Sequence, residues 1–406
     1  MEKKEKLTVL IAGADLQTGY TTARSLANLD IKLIGLCSTP NSRFCRSGLW
    51  DQIVTVDRSM GAHLEKLIAL GKSSSHKSVL FSAQDSVVQL IADNMDELRK
   101  YYEFVFPKKS AVDLLMDKTA FHQWAIEHGF PVPESYIAES GSELDRVLRN
   151  IRFPVVIKPL FRTEAWVKKS GIHKVFKLNH REEIKDIGFN LLETAPRLLI
   201  QRWIPGGDGN VHFCLMYIDR NGREMGYYTG RKLLQWPILT GNTAIGVGTF
   251  NHKVHELARD VLLKAELRGL GSLEVKKSDE DNRYYITEPT VGRNNYQSYL
   301  AVAGGVNLTQ IAFHDAINDH RGMVLGERKK AAWIDEDNAI QAIRNSNYDL
   351  GFYYRNIMRH LSRRVSFTHF NLKDPMPFVF FFSERFPKPI RRPIRRISYC
   401  LSRIRS

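Results

Sequence analysis

The order of apolar runs and helical stretches at the start of the chain predicts a parallel sheet. Residues 7–14 form an apolar run that ends in small residues, residues 18–30 have helical spacing, and a second apolar run covers 31–38. This strand–helix–strand order is typical of an α/β domain. With further strands predicted at 78–85 and 102–107, we expect residues 1–110 to form one doubly wound domain.

The middle of the chain has a different pattern, in which short strands outnumber helices. Helical periodicity from Leu114 to His128 ends at Gly129, which is a helix stop, and prolines then favour an extended chain. The remaining predicted elements are a strand at 152–159, a helix around 182–193, a strand before a Pro-Gly-Gly turn at 205–207, two strands joined at 219–222, a helix at 251–269 and two strands around a polar turn at 279–283. From about residue 326 onward the pattern weakens into helices and proline-rich connections.

Two glutamates on the last predicted hairpin are candidate metal ligands. If the turn is five residues long, at 279–283, then Glu274 and Glu288 lie opposite each other on one face of the hairpin. Other registers remain open. Mg²⁺ prefers oxygen ligands and usually takes one or two carboxylates together with substrate phosphates. Two lysines from different elements, Lys118 and Lys158, could neutralise those phosphates.

The motifs around these residues resemble those of the ATP-grasp superfamily, in particular its carboxylate–amine ligases. The resemblance covers roughly residues 8–320. It is carried by five segments, which read "MDKTAFHQWAIEHGFPVP", "FPVVIKP", "LIQRWIPGGD", "SLEVK" and "YYITEP", and it is supported by "TGRKLLQWP".

The resemblance implies a fold and a domain order. We expect an α/β protein with a Rossmann-like pre-ATP-grasp domain at 1–110 and a two-part α+β ATP-grasp domain at 111–325, whose lid subdomain covers about 130–203. A small helical accessory region at 326–384 and a basic amphipathic tail at 385–406 follow.

The resemblance also implies roles for single residues. Residues expected to bind ATP are Lys118 and Lys158 at the phosphates, Gln201, Arg202, Trp203 and Ile204 at the adenine edge, and Asp208 at the ribose or the second substrate. Glu274 and Glu288 are expected to hold Mg²⁺, with Mn²⁺ as an alternative. Arg231 and Lys232 are expected to face the active site, and Arg293 to steady the transferring phosphoryl group or the acyl phosphate.

Two features depart from the family pattern. The lid loop after Lys158 is usually rich in glycine but has only Gly171 here, and we hypothesise that nearby lysines replace the backbone amides. The usual ending Glu-x-Asn-Pro-Arg is absent, because Pro289 and Thr290 follow Glu288. Asn294 or Asn295 is therefore predicted to be a displaced metal ligand. The segment "EPTVGRNNYQ" is similar to ATP-grasp proteins linked to surface-polysaccharide genes.

Each role has a structural alternative. Lys158 could be a surface lysine at a strand end, Glu274 could form a cross-strand ion pair with Lys276, and Arg293 could pair with a nearby acid. Asp208 could be a turn residue.

The function implied is an ATP- and Mg²⁺-dependent ligase that joins a small-molecule carboxylate to an amine through an acyl phosphate, in cell-envelope or surface-polysaccharide metabolism. The main alternative is a catalytically silent nucleotide-binding regulator or scaffold. A carboxylase-type or kinase-like member is a minor option, because no biotin-accepting or glutaminase segment is found. A homodimer is left open.

The distribution of charge along the chain indicates where in the cell the protein is expected. The net charge is +15, and eight of the basic residues follow Glu384 without a single acid. Isoleucines and leucines spaced by four and three in this tail favour contact with an anionic membrane surface. A solubilising tail, a partner contact or, least of all, a nucleic-acid contact remain alternatives. No signal peptide or membrane-length apolar run is found and the four cysteines are scattered, so we expect a cytoplasmic protein, peripheral at the inner face of the membrane if the tail binds there.

Overall fold

The structure, a computed structural model, describes residues 6–160, 163–170, 175–187, 190–319, 328–345 and 364–385. The basic tail and its predicted membrane contact lie outside these residues. In the described ranges, no helix has both the length and the apolar character needed to cross a membrane.

The N-terminal part of the chain forms a five-stranded parallel sheet in the order β3-β2-β1-β4-β5. Its strands are β1 (Leu7–Ala12), β2 (Ile31–Cys37), β3 (Gln52–Thr55), β4 (Ser78–Ser82) and β5 (Tyr102–Glu103). Its helices are α1 (Gln17–Leu26), α2 (Met60–Lys72), α3 (Asp85–Asp93), α4 (Met95–Leu98) and α5 (Lys109–Met116). The buried strand β1 lies at the centre, where both faces of a parallel sheet are covered, and its apolar run is continuous.

The single helix predicted from Leu114 to His128 is two helices. Asp117 separates α5 from α6 (Lys118–Glu127), because its carboxylate accepts hydrogen bonds from the Thr119 and Ala120 amides at 2.7 and 2.9 Å. An aspartate in this capping position starts a new helix. The cap also fixes Lys118 as the first residue of α6.

A second, four-stranded antiparallel sheet follows, in the order β6-β9-β7-β8. Its strands are β6 (Ser135–Ala138), β7 (Val155–Pro159), β8 (Phe176–Leu178) and β9 (Leu198–Arg202), and its helices are α7 (Gly141–Asn150), α8 (Glu164–Ser170) and α9 (Leu191–Thr194). It has a hydrophobic cluster of its own, around Trp166. We call it the lid sheet.

The third sheet has seven strands in the order β14-β13-β10-β11-β12-β15-β16. They are β10 (Val211–Ile218), β11 (Glu224–Trp236), β12 (Asn242–Thr249), β13 (Gly269–Lys277), β14 (Tyr284–Val291), β15 (Ala331–Ile334) and β16 (Arg364–Phe367). The helices in this part are α10 (His252–Lys264), α11 (Tyr299–Ala303), α12 (Leu308–Ala316), α13 (Glu336–Arg344) and α14 (Met376–Arg385). Two hydrophobic clusters join this central sheet to the first one.

The region at 326–384 is not only helical, as the sequence predicted. Strands β15 and β16 pair in parallel and extend the central sheet. The Asp374 carboxylate then accepts hydrogen bonds from the Tyr20 hydroxyl at 3.0 Å, the Ser47 hydroxyl at 2.7 Å and the Gly48 amide at 2.9 Å. These bonds tie the late part of the chain to the first domain.

Candidate active site

A cavity of about 670 Å³ has walls from the first domain, the lid sheet and the central sheet. Lys118 reaches it from α6, Lys158 from β7 of the lid sheet, and Glu274 and Glu288 from the central sheet. Four residues that are far apart in the sequence therefore meet at one opening, and all four were predicted to bind ATP or its metal ion.

The two glutamates are direct neighbours across β13 and β14, because Glu274 pairs with Glu288. The predicted register is thus correct at this position, although it arises differently. The turn at 278–283 has six residues, which offsets the pairing of the next three residues, and a bulge at Thr287 then restores the predicted pairing. Side chains alternate along a strand, so the bulge turns Glu288 to the same face as Glu274.

Lys158 is electrostatically suited to a polyphosphate. Burial and the nearby Lys118 lower the pKa of its ammonium group to about 8, while Glu288 and Glu274 partly oppose this shift. Its Nζ donates a long hydrogen bond of 3.4 Å to Oε1 of Gln201. A lysine with one weak internal partner in a cavity has donors left for a ligand.

Lys232 holds Glu274 in position. Its Nζ lies 2.9 Å from Glu274 Oε2 and donates hydrogen bonds to Gln235 Oε1 at 3.0 Å and to the Gly241 carbonyl at 3.3 Å. It lines the cavity and is buried. The predicted role of Arg231 is wrong, because consecutive strand residues point to opposite faces. Arg231 lies opposite His212 and does not line the cavity.

Asp208 is not a ligand residue either. It is buried outside the cavity lining, and its carboxylate accepts three hydrogen bonds. These come from the Gln235 amide at 2.8 Å, Gln235 Nε2 at 2.9 Å and the Leu239 amide at 2.8 Å. Gln235 at the end of β11 and Leu239 in the following turn therefore occupy the lone pairs of Asp208. Asp208 supports this turn, in line with the structural alternative given above.

Residues 201–204, at the end of the lid sheet, line the cavity, and we call them the hinge. The Arg202 amide donates to the Glu134 carbonyl and the Trp203 amide to the Pro154 carbonyl, each at 2.8 Å. Within the described residues, no internal partner is seen for the Ile204 amide. Ile204 therefore offers the main-chain donor that an adenine edge would need.

Arg293 lines the cavity and forms an ion pair of 2.6 Å with Asp85 at the start of α3. Asn294 is in the wrong place for a metal ligand. It is 4% exposed, outside the cavity, and its Nδ2 donates to the hydroxyls of Thr22 and Thr309 at 2.9 and 3.0 Å. Asn295 does line the cavity, so it is the candidate that remains.

Several cavity residues were missed by sequence reasoning. They are Thr18, Gln84, Asp85, Gln235, Thr243, Lys276 and Gln297. Lys276 could have been found, since it is two residues beyond Glu274 and so shares its face of β13. The lid lysines hypothesised to replace glycines do not line the cavity where they are described. Lys168 and Lys169 are exposed on α8, and Gly171 and Lys174 lie outside the described residues.

The donors present fit Mg²⁺ and a polyphosphate. Glu288 is exposed, and no hydrogen bond or close ion pair to its carboxylate is seen in the described residues. Glu274 accepts a hydrogen bond from the Thr287 hydroxyl and pairs with Lys232 through its other oxygen. Two carboxylates suit a hard cation that also binds phosphate oxygens. Among the described residues no group of three or more histidine, cysteine or carboxylate side chains forms a complete metal site.

Comparisons with known proteins agree with this geometry. No family model matches the chain. D-aspartate ligase of Enterococcus faecium is 24% identical over 410 residues, which cover 91% of this chain and 96% of that protein.

Solved structures share the fold at low identity. The ADP complex of N5-carboxyaminoimidazole ribonucleotide synthetase has a TM-score of 0.61 at 15% identity, covering 80% of this chain and 79% of the other. The MgADP and bicarbonate complex of the biotin carboxylase domain of Hydrogenobacter thermophilus 2-oxoglutarate carboxylase has a TM-score of 0.59 at 12% identity, covering 80% and 72%. The predicted fold class is confirmed, and the chain is similar along most of its length to ATP-grasp carboxylate–amine ligases.

Proposed function

We propose that this protein is an ATP- and Mg²⁺-dependent ligase that joins a small-molecule carboxylate to an amine. The observation that carries the proposal is the meeting of Lys118, Lys158, Glu274 and Glu288 in one cavity. The similarity to a D-aspartate ligase along nearly the whole chain supports a ligase and makes an amino acid the first candidate for the carboxylate substrate.

The residues divide the work as follows. Lys118 and Lys158 would neutralise the phosphates, and the hinge at 201–204 would hold the base. Glu274 and Glu288 would hold Mg²⁺, with Asn295 as a further oxygen donor. Bound there, Mg²⁺ would reduce the negative charge that repels an incoming carboxylate.

Charge and alignment are the main contributions of the protein to such a reaction. The substrate carboxylate attacks the γ-phosphorus of ATP, which gives an acyl phosphate and ADP. The amine then attacks the acyl carbon, phosphate leaves, and the amine loses a proton. Arg293 would steady the acyl phosphate, for which Asp85 already fixes the direction of its guanidinium.

We further propose that the product belongs to the cell envelope or a surface polysaccharide, and that the enzyme acts in the cytoplasm. The resemblance of the segment from Glu288 to Gln297 to polysaccharide-associated ATP-grasp proteins supports this setting. A contact of the basic tail with an anionic membrane remains part of the proposal, and it rests on the sequence pattern alone.

The test is ADP and phosphate release from Mg-ATP with D- and L-aspartate, other amino acids and sugar acids as carboxylates, and pooled amines. Glu288→Gln should lower acceptor-dependent ADP release by about 100-fold or more, as expected when one electrostatic group of a reaction site is removed. Glu256→Gln, which changes an exposed carboxylate on α10, is the matched control and should retain full activity.

The glycine-poor lid favours one competing function, a nucleotide-binding protein without turnover. ATP binding measured in the same experiment separates the two. Binding that is intact while no carboxylate and amine pair gives turnover would favour the silent protein. A wild-type protein that binds no ATP would refute both.

A further inference from the structure

Lys276 is a buried cation without a hydrogen-bond acceptor. Its residue is 5% exposed, and its Nζ has no hydrogen-bond partner among the described residues. The Nζ lies 3.5 Å from the centre of the Trp203 ring, which covers it. A cation–π contact of this kind is favourable, but it leaves the N–H groups of the ammonium without an oxygen or nitrogen acceptor.

The surroundings of Lys276 do not provide that acceptor. Asp208 and Asp279 act on Lys276 by charge alone, while Lys177 and Lys232 repel it. The Asp208 carboxylate is already occupied by the turn at Gln235. An ammonium that is desolvated and lacks an acceptor is costly for the fold unless a ligand completes its bonding.

The position of Lys276 separates it from the phosphate-binding cations. Lys118, Glu288 and Glu274 are the charged groups that act on Lys158. Lys276 instead contacts Trp203, which belongs to the hinge. Both residues line the cavity. If the hinge holds the base, as the proposed function requires, then Lys276 lies at the base end.

Trp203 connects this end of the cavity to the lid sheet. Its ring lies 5.0 Å from Nζ of Lys177 on β8 as well as 3.5 Å from Nζ of Lys276 on β13. Trp203 itself is half-buried, so one part of the indole faces the open cavity. A base entering beside the hinge would therefore meet the indole first.

We propose that Lys276 is a nucleobase-recognition residue, which donates a hydrogen bond to N3 or N7 of a purine base once the Trp203 indole moves off its ammonium. The inference rests on the proposed function, because it assumes that a purine nucleotide occupies the cavity. It adds a contact to the base that is independent of the phosphates.

The experiment compares two ligands that differ by the nucleoside. Dissociation constants of Mg-ATP and of magnesium tripolyphosphate are measured by calorimetry for the wild type, Lys276→Met and Lys277→Met. Lys277 is the matched control, since it is the next lysine on β13 and points to the opposite face. Lys276→Met should weaken ATP binding about 10- to 100-fold, the loss expected for one hydrogen bond from a charged donor. Tripolyphosphate binding should stay within about twofold of the wild type in both variants.

Two results would overturn the inference. An equal loss of affinity for both ligands would mean that Lys276 acts on the phosphates. Unchanged affinity for both ligands would mean that Lys276 is a structural lysine under Trp203. The two failures are distinct from failure of nucleotide binding itself, in which the wild type binds neither ligand. Tryptophan fluorescence gives a further readout. The contribution of Trp203 is the part of the emission that is missing in Trp203→Phe. ATP should change this part of the emission, whereas tripolyphosphate should leave it unchanged.

If the Lys276→Met variant does not fold, a second measurement on the wild type tests the same inference. The wild type is then titrated with ATP, 3-deaza-ATP and 7-deaza-ATP, each of which lacks one ring acceptor. One of the two analogues should bind about tenfold or more weakly than ATP. Equal affinity for all three would contradict a hydrogen bond from Lys276 to either nitrogen and overturn the inference.

Discussion

Replacing Asp208 should destabilise the protein rather than remove a ligand contact. Its carboxylate joins the segment after the hinge to the turn between β11 and β12, through three hydrogen bonds of 2.8 to 2.9 Å. Gln235, which takes part in two of them, also accepts a hydrogen bond from Lys232, and Lys232 pairs with Glu274. Asp208→Ala should therefore lower both the free energy of unfolding and kcat.

The size of the loss follows from the donors left behind. A hydrogen bond to a charged group contributes about 1.5 to 3 kcal/mol, but three bonds to one carboxylate are not additive. Leu239 is half-buried, so its amide can bind water in the variant, whereas Gln235 is 3% exposed and its two donors reach water less readily. We expect a loss of about 3 kcal/mol for Asp208→Ala. Asp208→Asn keeps one oxygen acceptor and should lose about half as much, roughly 1.5 kcal/mol.

Urea unfolding followed by circular dichroism measures this loss. Asp260→Ala is the control, since Asp260 is exposed on α10 and, among the described residues, its ion pair is a 3.4 Å contact with Arg259. Its free energy of unfolding should stay within about 0.5 kcal/mol of the wild type. Unchanged stability of Asp208→Ala together with weaker binding of ATP would refute the reasoning and restore a ligand role for Asp208.

Two further predictions concern pH. Burial, Arg231 and Lys277 lower the pKa of His212 to about 4, so between about pH 6.5 and 4 the unfolded chain binds a proton that the folded protein does not. The free energy of unfolding should therefore fall by about 3 kcal/mol across this interval, and His212→Gln should lack this part of the fall in urea titrations at each pH. The Lys158 ammonium, with its pKa of about 8, should bind magnesium tripolyphosphate about tenfold more weakly at pH 9 than at pH 7, and Lys158→Arg should remove most of this dependence. Identical pH profiles of variant and wild type would contradict either prediction.

The sequence predicted the positions of site residues on regular strands better than the positions of site residues in irregular segments. Glu274 and Glu288 follow apolar runs, and the alternation of a hairpin is enough to bring them together. The bulge at Thr287 was not predictable, because nothing in the local pattern distinguishes a six-residue turn with a bulge from a five-residue turn without one. Both arrangements place the same two glutamates opposite each other.

The errors have physical causes of the same kind. Arg231 and Lys232 are equally basic and adjacent, and only the register with β10 decides which of them faces the cavity. Asn294 comes after two irregular residues. Gly292 has a φ of +68°, which turns the chain, and Arg293 forms a single parallel bridge with Ser82 of the first sheet. No periodicity survives such a turn. Strands β15 and β16 pair across a long stretch of chain, and pairing over such separations leaves no local signal.

The hydrogen bonds of Asp374 also set a time scale for the growing chain. The Ser47 hydroxyl that donates to this carboxylate is 327 residues earlier in the sequence. At about 5 to 20 residues per second, roughly 15 to 65 s separate the synthesis of the two partners on the ribosome. For that interval Tyr20 and Ser47 have no carboxylate to bind, although the rest of the first parallel sheet can already form. The first domain therefore lacks its contacts with the segment around Asp374 until the last strands of the central sheet have been synthesised. During this interval the surface that the segment later covers is accessible to chaperones.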